Sequence, residues 1–202
     1  MNVLVIDTAT AACSVALIAG DAVLAERHDV VGRGHAERLV PMIADLPDGG
    51  RAAHILVDVG PGSFTGIRVG LAAARALGLA WGVPVTGYSS LALVAAAALA
   101  EADAPLAVVL EGGHGEVFMQ SFTPDLQPLD APASLSPAAA LAALAGRRAI
   151  GNGVRWLTAL DPAIDAQEAL PHAADARLLR DALRSLPPRP FYGRAPDAKL
   201  PG

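Results

Sequence analysis

The stretch HILVDVGPGSFTGIRVG, residues 54–70, is the part of the sequence that most directly determines the fold we predict. Its first six residues, His54 to Val59, are largely apolar and predict a buried strand. Glycine, proline and serine then predict a turn over residues 60–66. The apolar pattern resumes in a helix from about Ile67 to Trp81. A strand therefore leads through a glycine-rich turn into a helix.

Three strands are predicted ahead of this segment, over Asn2–Asp7, Cys13–Ala19 and Ala22–His28. The short turns between them indicate an antiparallel meander. A helix over His35–Leu46 follows, in which Pro41 lacks a backbone amide and predicts a late start or a bend. The apolar residues of this helix recur at the spacing of one helix face, at Leu39, Met42, Ile43 and Leu46.

A strand at Val83–Thr86 and a helix that begins at Ser89 or Ser90 are predicted next, because serine is a good N-cap residue. Together these elements give the order βββαβαβα. This order is typical of the ribonuclease H-like fold, which also forms each half of actin, of sugar kinases and of heat-shock ATPases.

The pattern begins again after Ala104, with a glycine-turn hairpin made of two strands at Leu106–Leu110 and Glu116–Phe122. The remaining predicted elements are a helix, a strand and a last helix, at Pro137–Leu144, Arg148–Ile150 and Ala173–Leu186. This half is too short for a full copy of the first. We therefore predict an α/β, actin-like (ASKHA) fold with a complete lobe at residues 1–102 and a reduced lobe at residues 103–202, the last helix packing back on the first lobe.

The composition indicates a folded globular protein. A hydrophobic fraction of 53% with 17% charged residues is typical of a folded globular chain. The single cysteine, Cys13, excludes an internal disulfide, and no basic segment precedes a long apolar run at the N-terminus, so we expect a cytoplasmic location. Residues 76–100 carry no charge, but Gly82 and Pro84 interrupt them, which indicates two buried elements rather than a membrane span.

Charge is distributed unevenly along the chain. The net charge is −5, whereas residues 177–202 contain six basic and two acidic residues. One interpretation is an RNA-binding module that acts through this basic tail, and the other is a solvated helix face.

Few residues carry recognisable chemistry. Asp7 ends the first strand, where nucleotide-binding proteins of this fold place a carboxylate associated with magnesium, and Glu111 could supply a second one. A phosphotransferase using Asp7 and Glu111 is therefore the alternative function.

The turn at residues 60–66 could bind an anion, but it lacks the lysine of a P-loop. A packed turn with Ser63 or Thr65 as helix cap is the favoured interpretation. The five histidines show neither HxxxH nor HExxH spacing, so we expect no metal site.

Small residues recur every four positions along the helix that follows the turn. They predict a shallow stripe against which another helix can pack closely, either from a partner or from the chain's own His35–Leu46 helix. The predicted stripe consists of Gly66, Gly70, Ala74 and Gly78.

The most specific string in the chain resembles the signature of the TsaB (YeaZ) family. It runs from Gly60 to Gly70, and its loop consists of Gly60, Pro61, Gly62, Ser63, Phe64, Thr65 and Gly66. The segments at residues 7–17, 35–43, 82–91 and 192–199 are also similar to the family in type and order. The resemblance weakens at residues 111–115, where EGGHG replaces a common Asp-Ala-Arg turn.

The resemblance implies a cytoplasmic scaffold without cofactor or metal, in which Asp7 is the vestige of a nucleotide site. Such a subunit pairs with TsaD, recruits the ATPase TsaE and meets tRNA indirectly through the complex that makes threonylcarbamoyladenosine. Alone, it forms a homodimer. The related catalytic subunit TsaD carries two metal-binding histidines at positions that correspond here to Ser90 and Val94. The helices expected to bind the partner contain Leu39, Met42 and Ile43 together with Gly66, Gly70, Ala74 and Gly78.

Overall fold

Two five-stranded sheets organise the molecule. The computed structural model describes residues 1–193 and contains, within that part of the chain, ten strands and five α-helices. The first sheet has the strand order β3-β2-β1-β4-β5, with antiparallel pairing among β1, β2 and β3 and parallel pairing of β1 with β4 and of β4 with β5. Its strands are β1 Asn2–Asp7, β2 Ala12–Ala19, β3 Ala22–Val30, β4 His54–Asp58 and β5 Val85–Tyr88.

The second sheet repeats this topology. Read as β8-β7-β6-β9-β10, it again joins an antiparallel meander to two parallel strands. Its strands are β6 Leu106–Gly113, β7 Glu116–Phe122, β8 Ala133–Leu135, β9 Arg148–Ile150 and β10 Ala166–Gln167. The C-terminal half is therefore reduced in the length of its elements and not in their order, so the prediction that it is too short for a full copy is wrong for the strands.

The helices fall at equivalent places in the two halves. Each sheet has one helix after its third strand and one after its fourth. The helices are α1 His35–Ala44, α2 Phe64–Trp81, α3 Ser90–Leu99, α4 Pro137–Ala143 and α5 Val154–Thr158. Strand and helix order confirm the predicted α/β, ribonuclease H-like and actin-like fold. Among the strands and α-helices of residues 1–193, the sequence did not predict β8, β10 and α5, which are two to five residues long.

Alternating residues of the central strand separate two hydrophobic layers. Leu4 and Ile6 pack in one cluster with α1 and α2, whereas Val5 packs on the opposite face with α3. The cluster that contains Val5 and α3 also contains residues of β6 and β7, so α3 lies between the two sheets. This position explains why its residues from Ser90 to Ala96 are all buried.

The predicted helix over Ala173–Leu186 is wrong. The chain forms two short 3₁₀ segments instead, at Ala173–Leu178 and Asp181–Leu183. Buried alanines of the first segment pack against β2 and α3, and the amide of Ala173 donates a 2.9 Å hydrogen bond to Oγ of Ser14. Tertiary contacts of this kind override local helix propensity. The first of these segments packs on the first sheet, against β1, β2 and β3.

Helices α1 and α3 begin at predicted positions but differ from the predictions in detail. Helix α1 begins at His35, six residues before Pro41, so it does not start late. Ser89 occupies the N-cap position of α3, but its side chain makes no capping hydrogen bond. Ser63, in contrast, caps α2 by accepting a 3.3 Å hydrogen bond from the amide of Gly66.

The uncharged stretch at residues 76–100 forms the end of α2, strand β5 and all of α3. Among the described residues, no helix has both the length and the apolar character needed to cross a membrane.

Candidate functional site

A cavity of about 990 Å³ lies where loops from the two sheets meet. The loop after β1 and the turn that leads into α2 form one side, and the β6–β7 hairpin forms the other. Tyr192 lies at its edge. The residues that line it include Ala9, Thr10, Arg33, Gly62, Ser63, Phe64, Arg68, Glu111, Gly112, His114, Phe118 and Asn152.

The turn at residues 60–66, the signature loop, is packed tightly against the end of β1. A Cβ atom at Gly66 would overlap the carbonyl oxygen of Thr8, and one at Gly62 would overlap that of Ala9. The amide of Ser63 donates a 2.6 Å hydrogen bond to the Ala9 carbonyl, and the Thr8 hydroxyl donates a 2.7 Å bond to the Gly66 carbonyl. The glycines are therefore needed for close approach, which supports the packed-turn interpretation.

Phe64 and Arg68 project from the start of α2 toward the cavity. The guanidinium carbon of Arg68 lies 3.6 Å from the centre of the Phe64 ring, and its Nε donates a 3.1 Å hydrogen bond to the Tyr192 hydroxyl. Thr65 is exposed and does not cap the helix. The contact with Tyr192 ties the C-terminal part of the described chain to the mouth of the cavity.

A buried pair of carboxyl groups lies behind the signature loop. Asp7 ends β1 and Asp58 ends the neighbouring parallel strand β4, and both are fully buried. Burial raises the pKa of Asp7 well above its usual range, and the negative charge of Asp58 raises it further. Burial also raises the pKa of Asp58 to about 6, although hydrogen bonds from Gly60 and Ser90 oppose the rise.

Asp58 connects three elements through its carboxylate. It accepts a 2.7 Å hydrogen bond from the amide of Gly60 in the signature loop, and the hydroxyl of Ser90 at the start of α3 lies 2.7 Å from its Oδ2. The same hydroxyl lies 2.9 Å from the carbonyl oxygen of Pro61. The sequence analysis missed Asp58. Its position at the carboxyl end of a parallel strand beside β1 was the signal that could have identified it.

The two carboxylates of the alternative phosphotransferase have different surroundings. Asp7 has no exposed surface, so it cannot contact a ligand in the cavity as the chain is folded. Glu111 does line the cavity, but its Oε1 lies 2.6 Å from a guanidinium nitrogen of Arg155 on α5. The geometry gives no support to a magnesium site shared by these two residues.

Ser90 and Val94 both lie in the interior on α3. Ser90 is held by Asp58, and Val94 is 3% exposed and packs in the cluster between the sheets. Cys13 is also fully buried, and burial raises the pKa of its thiol to about 11. These side chains contribute to packing and do not reach the cavity.

The stripe of small residues on α2 faces the chain's own sheet. Ala74 is fully buried, a Cβ atom at Gly70 would meet the Thr8 side chain, and one at Gly78 would meet Val85. The prediction that a partner helix packs on this stripe therefore needs correction, because β1, β4 and β5 cover it. The α1 residues Leu39, Met42 and Ile43 are likewise buried in the cluster beneath the helices.

The outer face of the same two helices is exposed and carries apolar residues together with the charged residues Glu37, Arg38, Arg68 and Arg75. Leu79 on α2 is 87% exposed and Val40 on α1 is 63% exposed. Helices α1 and α2 contact each other, and their other exposed apolar residues are Ala36, Pro41, Ala44, Phe64, Ala72, Ala76 and Ala80. A partner surface on α1 and α2 would therefore use this outer face.

Comparisons with known proteins identify the family. A family model described as TsaD, tRNA N6-adenosine threonylcarbamoyltransferase, matches residues 28–148, more than half of the chain. The solved structure of YeaZ from Pseudomonas aeruginosa superposes with a TM-score of 0.73 and 29% identity, covering 88% of this chain and 89% of that one. This chain belongs to the TsaB/YeaZ family.

Sequence relatives agree with the TsaB/YeaZ assignment. The tRNA threonylcarbamoyladenosine biosynthesis protein TsaB of Escherichia coli is 34% identical over 133 residues, which cover 62% of this chain and 56% of that protein. A Mycobacterium tuberculosis protein described as uncharacterized is 33% identical over 209 aligned residues, which cover 98% of this chain and 94% of that protein. The chain spans about half of the length of the relatives named TsaB that it matches.

Proposed function

We propose that this chain is a noncatalytic scaffold subunit for the biosynthesis of threonylcarbamoyladenosine in tRNA. The names of its TsaB relatives support the pathway. The observation that carries the noncatalytic role is burial: Asp7, Ser90 and Val94 all lie in the protein interior. A group that binds a metal ion or a substrate phosphate must be able to reach it, and none of these three can.

The partner in this proposal is a TsaD subunit, and the binding surface is the outer face of α1 and α2. Burying a leucine as exposed as Leu79 contributes about 1.5–3 kcal/mol. The surrounding alanines leave room for a second pair of helices to approach closely. A second copy of this chain can use the same face, which accounts for a homodimer when TsaD is absent.

Recruitment of the ATPase TsaE and indirect contact with tRNA complete the proposed role. The net charge of −5 is unfavourable for direct binding to a polyanion. We therefore assign tRNA binding to the assembled complex. The chain stabilises its partner in an active conformation, and the transfer chemistry takes place on TsaD.

Coexpression with TsaD of the same organism tests the pairing. We expect the two proteins to copurify, and we expect Leu79→Arg to abolish copurification while leaving the melting temperature unchanged. Leu160→Arg is the matched control, because Leu160 is 55% exposed after α5, away from the proposed surface. If Leu79→Arg still copurifies with TsaD at the parent's level, the proposed surface is wrong. If the parent chain does not bind TsaD at all, the scaffold role itself is wrong.

A further inference from the structure

Glu26, His28 and His172 form a cluster outside the main cavity. Glu26 and His28 are two residues apart in the edge strand β3 and therefore project from the same face of the sheet. His172 immediately precedes the first 3₁₀ segment, which crosses back from the second half of the chain. One possible ligand atom from each of the three side chains lies within 4.8 Å of the others.

We propose that these three side chains bind a divalent transition-metal ion, with zinc as the best fit. Two imidazoles and one carboxylate form a donor set that suits zinc, and catalytic zinc sites use three protein ligands with one open position. Nδ1 of His172 lies 3.4 Å from Oε1 of Glu26. Two ligand atoms at about 2.1 Å from a tetrahedral zinc are separated by about this distance.

The surroundings of the cluster support a site for an ion. Nδ1 of His28 is buried and has no hydrogen-bond partner within residues 1–193. Such an atom is uncommon, because buried polar groups are normally paired. Oε1 of Glu26 accepts a 3.3 Å hydrogen bond from the amide of Ala174, which orients the carboxylate as outer-shell partners orient metal ligands.

Binding requires one rearrangement. The rings of His28 and His172 are stacked, with centres 3.8 Å apart and planes 8° from parallel, so one ion cannot lie in both ring planes. The His172 side chain is 47% exposed and can rotate out of the stack. Both histidines, but not Glu26, also line a second cavity of about 360 Å³ together with Arg155, and this cavity leaves room for a water molecule as fourth ligand.

A bound ion would join the edge of the first sheet to the segment that returns from the second. Metal binding to the folded chain would therefore raise its stability. The competing explanation is an ion pair between protonated His172 and Glu26, which also accounts for their 3.4 Å separation but predicts no affinity for zinc.

Zinc titration of the full-length, tag-free chain, treated first with a chelator, separates these explanations. Calorimetry should show one zinc ion per chain, and cobalt in place of zinc should give the visible absorption of a tetrahedral site. His172→Ala and Glu26→Gln should each weaken zinc binding more than about tenfold, since loss of even an outer-shell partner costs about 10–100-fold. Zinc should raise the melting temperature of the parent and not of these variants.

His114→Asn is the control, because it removes an exposed imidazole from the β6–β7 turn, and asparagine tolerates the positive φ of 52° at that position. This variant should bind zinc like the parent. The proposal is overturned if the parent binds no stoichiometric zinc, or if His172→Ala and Glu26→Gln bind it as tightly as the parent does. Equal weakening by His114→Asn would also overturn it, because binding would then be nonspecific.

Discussion

The hydroxyl of Tyr88 donates a 2.9 Å hydrogen bond to Oδ2 of Asp7 in the interior of the first sheet. Tyr88 is the last residue of β5 and Asp7 the last of β1, with β4 between them. Asp58 ends that middle strand, so three neighbouring parallel strands all end in polar residues that are buried. This polar layer, and not the main cavity, contains the carboxylate that the sequence associates with nucleotide binding.

Asp7→Asn should stabilise the chain at neutral pH. Burial raises the pKa of Asp7 well above its usual value of 3.8, so above pH 4 the folded state binds more protons than the unfolded state. The free energy of unfolding therefore falls as pH rises from about 4 toward the raised pKa. Asparagine does not titrate in this range. Its amide can still accept a hydrogen bond from Tyr88 and donate one to Asp58. Thermal melts from pH 4 to 8 should show that the melting temperature of the variant increases relative to that of the parent as pH rises.

Asp58→Asn is the matched comparison and should be stabilised less than Asp7→Asn at pH 7, because the loss of a hydrogen-bond acceptor opposes the gain from removing a carboxyl group with a raised pKa. The Asp58 carboxylate accepts hydrogen bonds from the Gly60 amide and the Ser90 hydroxyl. The asparagine side chain offers one acceptor atom in place of two. An unsatisfied buried group costs about 1–3 kcal/mol. An Asp58→Asn variant that gains as much melting temperature at pH 7 as Asp7→Asn would show that Asp58 is not the acceptor we describe.

Ser90→Ala should destabilise the fold, whereas Ser89→Ala should not. The Ser90 hydroxyl bonds to Asp58, so its loss removes a hydrogen bond to a charged group, worth about 1.5–3 kcal/mol. The hydroxyl of Ser89 is buried and has no partner among the described residues. Chemical denaturation of the two adjacent variants measures this difference directly. Equal losses from both would contradict the assigned hydrogen bond.

Ala74→Arg and Ala76→Arg should separate the two sides of α2. Ala74 faces the chain's own sheet and is fully buried, so an unpaired charge there costs several kcal/mol and should unfold much of the protein. Ala76 is exposed beside Leu79. Ala76→Arg should therefore melt like the parent but lose TsaD and the homodimer. Circular dichroism melts and size-exclusion chromatography, with and without TsaD, test both expectations. A stable, folded Ala74→Arg variant would show that the helix is turned differently.

The purified chain should not hydrolyse Mg-ATP or bind it tightly. Asp7 is inaccessible, and Glu111 is paired with Arg155, so the main cavity lacks the two free carboxylates that the phosphotransferase alternative requires. Calorimetric titration with Mg-ATP checks this expectation. A stoichiometric site with a micromolar Kd would contradict it. Turnover that disappears in Asp7→Asn would make the chain a phosphotransferase.

The sequence by itself determined the elements that local patterns specify. Apolar runs predicted the strands of the first sheet, and glycine and proline predicted the turn before α2. Ser63 and Thr65 were the two proposed caps of that helix, and the structure selects Ser63. Such signals are readable because periodicity and capping depend on residues that are near one another in the chain. The order of these elements was sufficient to predict the fold class.

Only the tertiary structure decided which surfaces these elements present. The sequence left open whether the row of small residues packs against a partner helix or against the chain's own His35–Leu46 helix. The structure packs it on the sheet, where Gly70 lies against Ile6 and Val57. His28 and His172 are 144 positions apart, so no spacing rule could bring them together, yet their rings stack at 3.8 Å. Contacts between distant segments depend on the path of the whole chain, which is why local sequence patterns did not contain them.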